Sequence, residues 1–201
     1  MDYIEKFFSE SKFIIDHLDF EMINRVVKCL VDIRQNGGRL FILGVGGGAG
    51  HASHAVNDFR KIAGFEAYTP TDNVSELTAR INDDGWETCF QRWLQGSRLA
   101  AEDGVLVFSV GGGDLENQVS VNIVNSLKYA KEIGSTILGV VSHRGGYTAQ
   151  VAHACIKIPF VHPENVTAQT EAFQAVVWHL LVSHPLIQQN TMKWESITEK
   201  C

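Results

Sequence analysis

Cysteine is scarce in this chain, and what there is lies scattered. Cys29, Cys89, Cys155 and Cys201 form no C-x-x-C pair, which excludes a disulfide framework and a thiolate zinc finger. Reduced packing residues are the expectation for all four. Long apolar runs are missing too: no segment approaches eighteen uninterrupted apolar residues, and the opening MDYIEKFFSESK is too acidic for a secretory leader. No membrane partner is therefore expected, and the cytoplasm is the expected compartment. Excess positive charge is absent as well. With 17 Lys and Arg against 23 Asp and Glu, the net charge is −6, and without a basic stripe to neutralise phosphates no nucleic-acid partner is expected. There is no low-complexity segment, linker or tandem repeat. The 201 residues suffice for one large domain with helical additions.

Glycine, by contrast, is concentrated where it says most. Leu40 to Leu43 read as a buried strand that stops at Gly44, Gly46, Gly47, Gly48 and Gly50, and a helix opens straight after. Such a turn lets backbone N–H groups approach a ligand, and the helix start adds partial positive charge suited to an anion. The segment VLVFSVGGGD (105–114) repeats strand, glycine turn and helix. Two such turns predict a ligand cleft at the carboxyl ends of a parallel sheet.

Periodicity organises the rest. Ile4, Phe7, Phe8, Ile14, Ile15 and Leu18 recur at helical spacing, and Met22, Ile23, Val26, Val27, Leu30 and Val31 form a second stripe ending at Asn36-Gly37-Gly38. Residues 1–36 thus read as a two-helix extension, packed on the core or used between subunits, and 37–201 as the α/β core with its last helix. Within the core we expect a strand in 64–70 and a helix capped by Asp72 or Ser75. A loop at Asn82-Asp83-Asp84-Gly85 then leads to a helix over 86–99. Strand 105–109, helix 115–133, strand 136–142, a short helix near 147–152 and strand 155–160 follow. A helix over 166–184 is stopped by Pro185. The alternation predicts an α/β fold, a three-layer α/β/α sandwich around a five-stranded parallel sheet.

The first turn also fits the dinucleotide pattern G-x-G-x-x-G/A, with Glu66 as a candidate ribose acid. That reading leaves the second turn and the following histidines without a purpose, so no nucleotide cofactor is expected. The order of parts instead resembles the sugar isomerase (SIS) domain family, and within it the phosphoheptose isomerases, over nearly the whole chain. The resemblance rests on the Gly-x-Gly-Gly-x turn and its histidine-bearing helix, on VSELTARINDDGWETCFQRWL (74–94), on the serine–glycine turn after the next strand, and on the histidine of the last helix. The family's His-x-x-x-Glu falls on His54 and Asp58, its Asn-Asp-x-Gly loop on Asn82 to Gly85, and its Gln-x7-His on Glu171 and His179.

This resemblance implies a flavodoxin-like core and a homotetramer with helices bundled at its centre. It also implies aldose–ketose isomerisation of sedoheptulose 7-phosphate to glycero-manno-heptose 7-phosphate, in surface-glycan or specialised-metabolite synthesis. Asp58 and His179 would be the acid–base pair of an enediol mechanism. Gly46, Gly47, Gly48, Asp83, Ser109, Gly111, Gly112, Asp114 and Glu171 would contact substrate. His54 and Asp58 are four residues apart and share a helix face, and with Glu171 and His179 they would form a set suited to one zinc ion per site. Taken singly, each of these residues has an ordinary structural use. His51, where relatives carry aspartate, is a further candidate ligand or substrate contact.

Several positions depart from the family pattern. Asp58 is one methylene shorter than the family glutamate, and a displacement of about 1 Å can cost about 100-fold in rate. The family's serine-rich phosphate cradle is reduced to Ser109-Val110-Gly111-Gly112-Gly113-Asp114, and Val45 and Gly48 replace asparagine and serine. Arg60, Lys61, His143 and Arg144 are the candidate substitutes for holding a phosphate. The contrasting reading is a non-catalytic SIS protein, a sugar-phosphate sensor or a partner-binding relative of the replication-initiator-associated type.

Overall fold

Apolar residues in the strands alternate between two cores, and this alternation sets the architecture. The computed structural model describes residues 2–193; Cys201 lies outside them. Strands β1 (Leu40–Gly44), β2 (Ala67–Tyr68), β3 (Gly104–Ser109), β4 (Thr136–Ser142) and β5 (Ala154–Ile158) form one parallel sheet in the order β2-β1-β3-β4-β5. Leu40, Ile42, Leu106, Phe108, Leu138 and Val140 point into one core, while Phe41, Leu43, Val105, Val107 and Ile137 point into the other. Both sheet faces are covered, which is why the strands read as continuous apolar runs.

The first core is closed by α1 (Tyr3–His17), α2 (Phe20–Gln35), α3 (Gly47–Lys61) and α8 (Val166–Ser183). The second is closed by α4 (Val74–Asp84), α5 (Cys89–Gly96), α6 (Val121–Ile133) and α7 (Gly146–Val151). The helix after β1 and the helix after β3 therefore lie on opposite faces, and a crevice opens between the carboxyl ends of these two strands. The chain belongs to the α/β/α class expected. Asp2 caps α1 in a capping box with Glu5, and Asp19 caps α2 by accepting from the Met22 N–H, so the two leading helices break at Leu18.

One buried charge ties the amino ends of β1 and β3 together. The Asp103 carboxylate, 2 % exposed, accepts from the backbone N–H groups of Arg39 and Ala100 and from the Arg39 guanidinium at 2.7 Å. That bond holds the guanidinium charged, its pKa raised above the usual value.

Five local expectations are corrected. The second strand spans only Ala67–Tyr68. Asn73, not Asp72 or Ser75, caps α4 through its side chain, and Asn82 to Asp84 finish that helix instead of forming a loop, with Gly85 ending it at φ 80°. The helix expected over 86–99 is confined to Cys89–Gly96. The helix expected from 115 begins only at Val121, because residues 114–119 form a small loop closed by a bridge between Asp114 and Val119. Among the described residues no helix is long and apolar enough to cross a membrane.

Candidate active site

The site is built on a seam between two helices that run in the same direction. Glu171 of α8 lies against Gly47 at the start of α3, Gln174 bonds His51, and Trp178 and His179 meet His54 and Asp58. The glycine turn makes this possible. Gly46 takes φ 59°, a conformation that favours glycine, and a Cβ on buried Gly48 would overlap the Phe108 carbonyl oxygen of β3. Gly48 therefore lets α3 approach the sheet. Gly46, Gly47 and Gly50 are the glycines of this turn that face solvent.

Down the seam, three groups converge. Asp58 is 6 % exposed. Its Oδ2 lies 3.6 Å from His54 Nε2 and 3.5 Å from His179 Nε2, and it accepts from the Trp178 indole Nε1–H at 3.1 Å. Its Oδ1 accepts from the Asn57 side chain at 3.0 Å. The two imidazoles are about half exposed and their rings stand edge to face, 5.5 Å apart. His179 Nδ1 is 2.8 Å from the Ala175 carbonyl. A carbonyl only accepts, so Nδ1 carries the hydrogen and the neutral ring turns a bare Nε2 lone pair toward a carboxylate oxygen. Two acceptors facing each other call for a cation between them, either a proton or a metal ion. One ligand atom from each of His54, Asp58 and His179 can lie within 4.8 Å of the others, a donor set that fits zinc.

Glu171 is not among these three. Eight residues separate it from His179, and at 3.6 residues per turn that leaves the two about 80° apart around α8. Its half-buried carboxylate instead packs over Gly47, where a Cβ would collide with it, at the positive end of α3. Asp83 is exposed in the last turn of α4, with Oδ1 taken by Asn82, on a helix packed mainly against α5.

The second glycine turn is organised differently from the first. Ser109 Oγ accepts from the Gly112 N–H, and the Gly112 carbonyl takes bonds from the Thr148 N–H and hydroxyl. Gly111 is open to its surroundings. The helix start that meets this turn is that of the short α7, whose Tyr147 and Thr148 N–H groups bond the Gly113 and Gly112 carbonyls, because α6 opens only at Val121. The Asp114 carboxylate accepts from the Asn117 side chain and from the N–H groups of Glu116 and Asn117, and these bonds hold its pKa below the usual value, so it keeps its negative charge. Gly111, Asp114, Arg144 and Tyr147 line a cleft of about 660 Å³, and Arg144 forms no ion pair among the described residues. Arg60 and Lys61 border a separate open hollow on α3 with Ser53 and Asp72. Burial, with Arg144 alongside, pushes the His143 pKa down.

Two site residues lay outside the sequence reading of the seam, Trp178 as a donor and Gln174 as a buried partner. The one available signal was a glutamine within the apolar stretch AFQAVVWHLL.

Comparison with known proteins supplies the family. No protein-family model matches the chain. It is 31% identical over 171 residues to a probable phosphoheptose isomerase of Thermoplasma volcanium, an alignment covering 83% of this chain and 82% of that relative. It is 26% identical over 190 residues to the phosphoheptose isomerase of Aneurinibacillus thermoaerophilus, covering 90% of each. The solved structure of phosphoheptose isomerase from Neisseria gonorrhoeae shares the fold with a TM-score of 0.76 at 20% identity, covering 90% of this chain and 92% of that one. With that identity and coverage, on an SIS fold, the chain belongs to the phosphoheptose isomerase family of enzymes.

Proposed function

We propose that this protein interconverts a ketose and an aldose phosphate, with sedoheptulose 7-phosphate and glycero-manno-heptose 7-phosphate as the pair. The observation that carries the reading is the buried Asp58 carboxylate held between two imidazoles at 3.6 and 3.5 Å. The reaction is redox-neutral overall. A base removes a proton from C1 of the ketose while an acid protonates the C2 oxygen, giving an enediol. Proton loss from the C1 oxygen and proton return to C2 then give the aldose. Asp58 and His179 are the acid–base pair in this reading, with His179 oriented by the Ala175 carbonyl and Asp58 by Trp178 and Asn57.

With metal bound, His54, Asp58 and His179 would hold one zinc ion, which would supply Lewis-acid polarisation of the sugar oxygens in place of proton donation by His179, since a ligated Nε2 carries no proton. The phosphate end would lie toward the second glycine turn, where the open Gly111 backbone and the Arg144 side chain offer donors in place of the missing serines, since the Glu171 carboxylate already covers Gly47. We also propose a cytoplasmic homotetramer. Tyr3, Ile4, Phe8 and Phe20 on the two leading helices and Val176 on α8 are each more than half exposed, and large apolar side chains left open on these helices are what contact between subunits would cover.

The test is proton exchange. Incubation with sedoheptulose 7-phosphate in deuterated water, followed by NMR, should show deuterium at the exchanging carbon together with aldose formation. Absence of exchange across a panel of ketose and aldose phosphates, with and without zinc, would refute the reaction and leave a ligand-binding SIS protein.

A further inference from the structure

His51 has no part in the cluster described above, yet the fold fixes its ring with unusual economy. Gln174, fully buried on the apolar face of α8, donates through Nε2 to the Val140 carbonyl at 3.0 Å. That carbonyl can only accept, so the amide has one permitted orientation and Oε1 must face the other way. Oε1 lies 2.9 Å from His51 Nδ1. Nδ1 therefore carries the hydrogen, and in its neutral form the ring keeps a bare lone pair on Nε2, which makes no hydrogen bond among the described residues. The ring is also wedged, its centroid 5.1 Å from that of Trp178 and edge-on to Phe108 at 6.4 Å. A buried glutamine whose side chain bonds one backbone carbonyl and one half-buried imidazole is a positioning device, since either group left unpaired would be costly.

Its place along the seam gives this device a use. His51 follows Gly47 by about 6 Å along α3 and precedes His54 by about 5 Å. Its ring meets Phe108, the residue before Ser109, so a sugar phosphate reaching from the second glycine turn to the Asp58 cluster would pass it at mid-chain. Between its carbonyl end and its phosphate, such a substrate offers hydroxyl groups, which can donate. Phosphate oxygens accept, and a bare lone pair repels them.

We propose that His51 is a specificity-determining residue, whose Nε2 accepts a hydrogen bond from a mid-chain hydroxyl of the bound sugar phosphate. Gln174 is its positioning residue. This assignment rests on the isomerase reading. It also gives the ligand a direction, because the acceptor admits the polyhydroxy segment and turns the phosphate away toward the second glycine turn.

The experiment compares His51→Phe, which keeps a ring against Trp178, with His51→Gln, whose amide oxygen reaches the position of Nε2. Turnover of sedoheptulose 7-phosphate and its binding by calorimetry are both measured, with thermal melts to verify folding. His51→Phe should raise KM and weaken binding about tenfold with kcat nearly unchanged, the size of one lost hydrogen bond, and His51→Gln should restore most of it. Gln174→Met should raise KM in the same way, and the double variant should add nothing further.

Wild-type behaviour in His51→Phe, equal losses in His51→Phe and His51→Gln, or additive losses with Gln174→Met would each overturn the assignment. A wild type that binds the sugar phosphate without converting it refutes the isomerase reading, and calorimetry then tests His51 alone. A wild type that neither binds nor converts it overturns both.

Discussion

The indole Nε1–H of Trp178 donates to Oδ2 of Asp58 at 3.1 Å, joining α8 to α3. Asp58 is shorter than the glutamate of the family pattern, and this bond is one means by which the carboxylate is held in the seam despite its shorter reach. Trp178→Phe keeps the ring packing and removes the donor. It should lower kcat/KM about 10- to 100-fold, in line with the loss of a group that orients a site carboxylate. A destabilisation of about 1–3 kcal/mol should accompany it, from a buried acceptor left short of a partner. Steady-state kinetics and urea titration measure the two effects.

His179→Ala should reduce turnover by about 100- to 10,000-fold, the range for loss of a positioned proton-transfer group. Its side chain is about half exposed, so folding and assembly should be unaffected. Light scattering and circular dichroism check this, and surviving activity would remove His179 from the acid–base pair.

Zinc should raise the melting temperature of chelator-treated protein. At a hundredfold excess over its dissociation constant, one ion that binds only the folded state adds about 2.7 kcal/mol. In His54→Ala that rise should shrink sharply. An equal rise in both proteins would place the ion elsewhere.

Asp103→Ala should destabilise the protein by about 3–5 kcal/mol, because it leaves the Arg39 guanidinium and two backbone N–H groups without their shared acceptor. Arg39 is partly open to water, so the lower end of that range is expected. Urea denaturation provides the measurement, and a loss under 1 kcal/mol would contradict the account of this ion pair.

Long periodic segments were legible in the sequence. The two leading helices, the buried strands β1, β3 and β4 and the last helix follow from apolar spacing alone. The approach of His54 to Asp58 follows from an i, i+4 relation within α3. The meeting of those two with His179 depends on how α8 docks, which no local pattern encodes. The same limit explains Glu171: a sequence interval of eight suggests a shared face, while its rotation around α8 carries the carboxylate to Gly47. Asn82 to Asp84 have turn composition, yet they complete α4 because Gly85 immediately afterwards supplies the positive φ that ends it. Gln174 was obscured by its neighbours, since a single amide in an apolar stretch shows no partner until the Val140 carbonyl and His51 are brought beside it.

The parallel seam has an evolutionary corollary. The side chains proposed to handle protons are anchored in two helices, whereas the segments at the sheet's rim, such as Val110 to Asp114, are connecting loops held by hydrogen bonds of their backbone. Rebuilding the rim to grip a different ligand leaves the helices in register, so members of such a lineage can change what they recognise while keeping what they do to it.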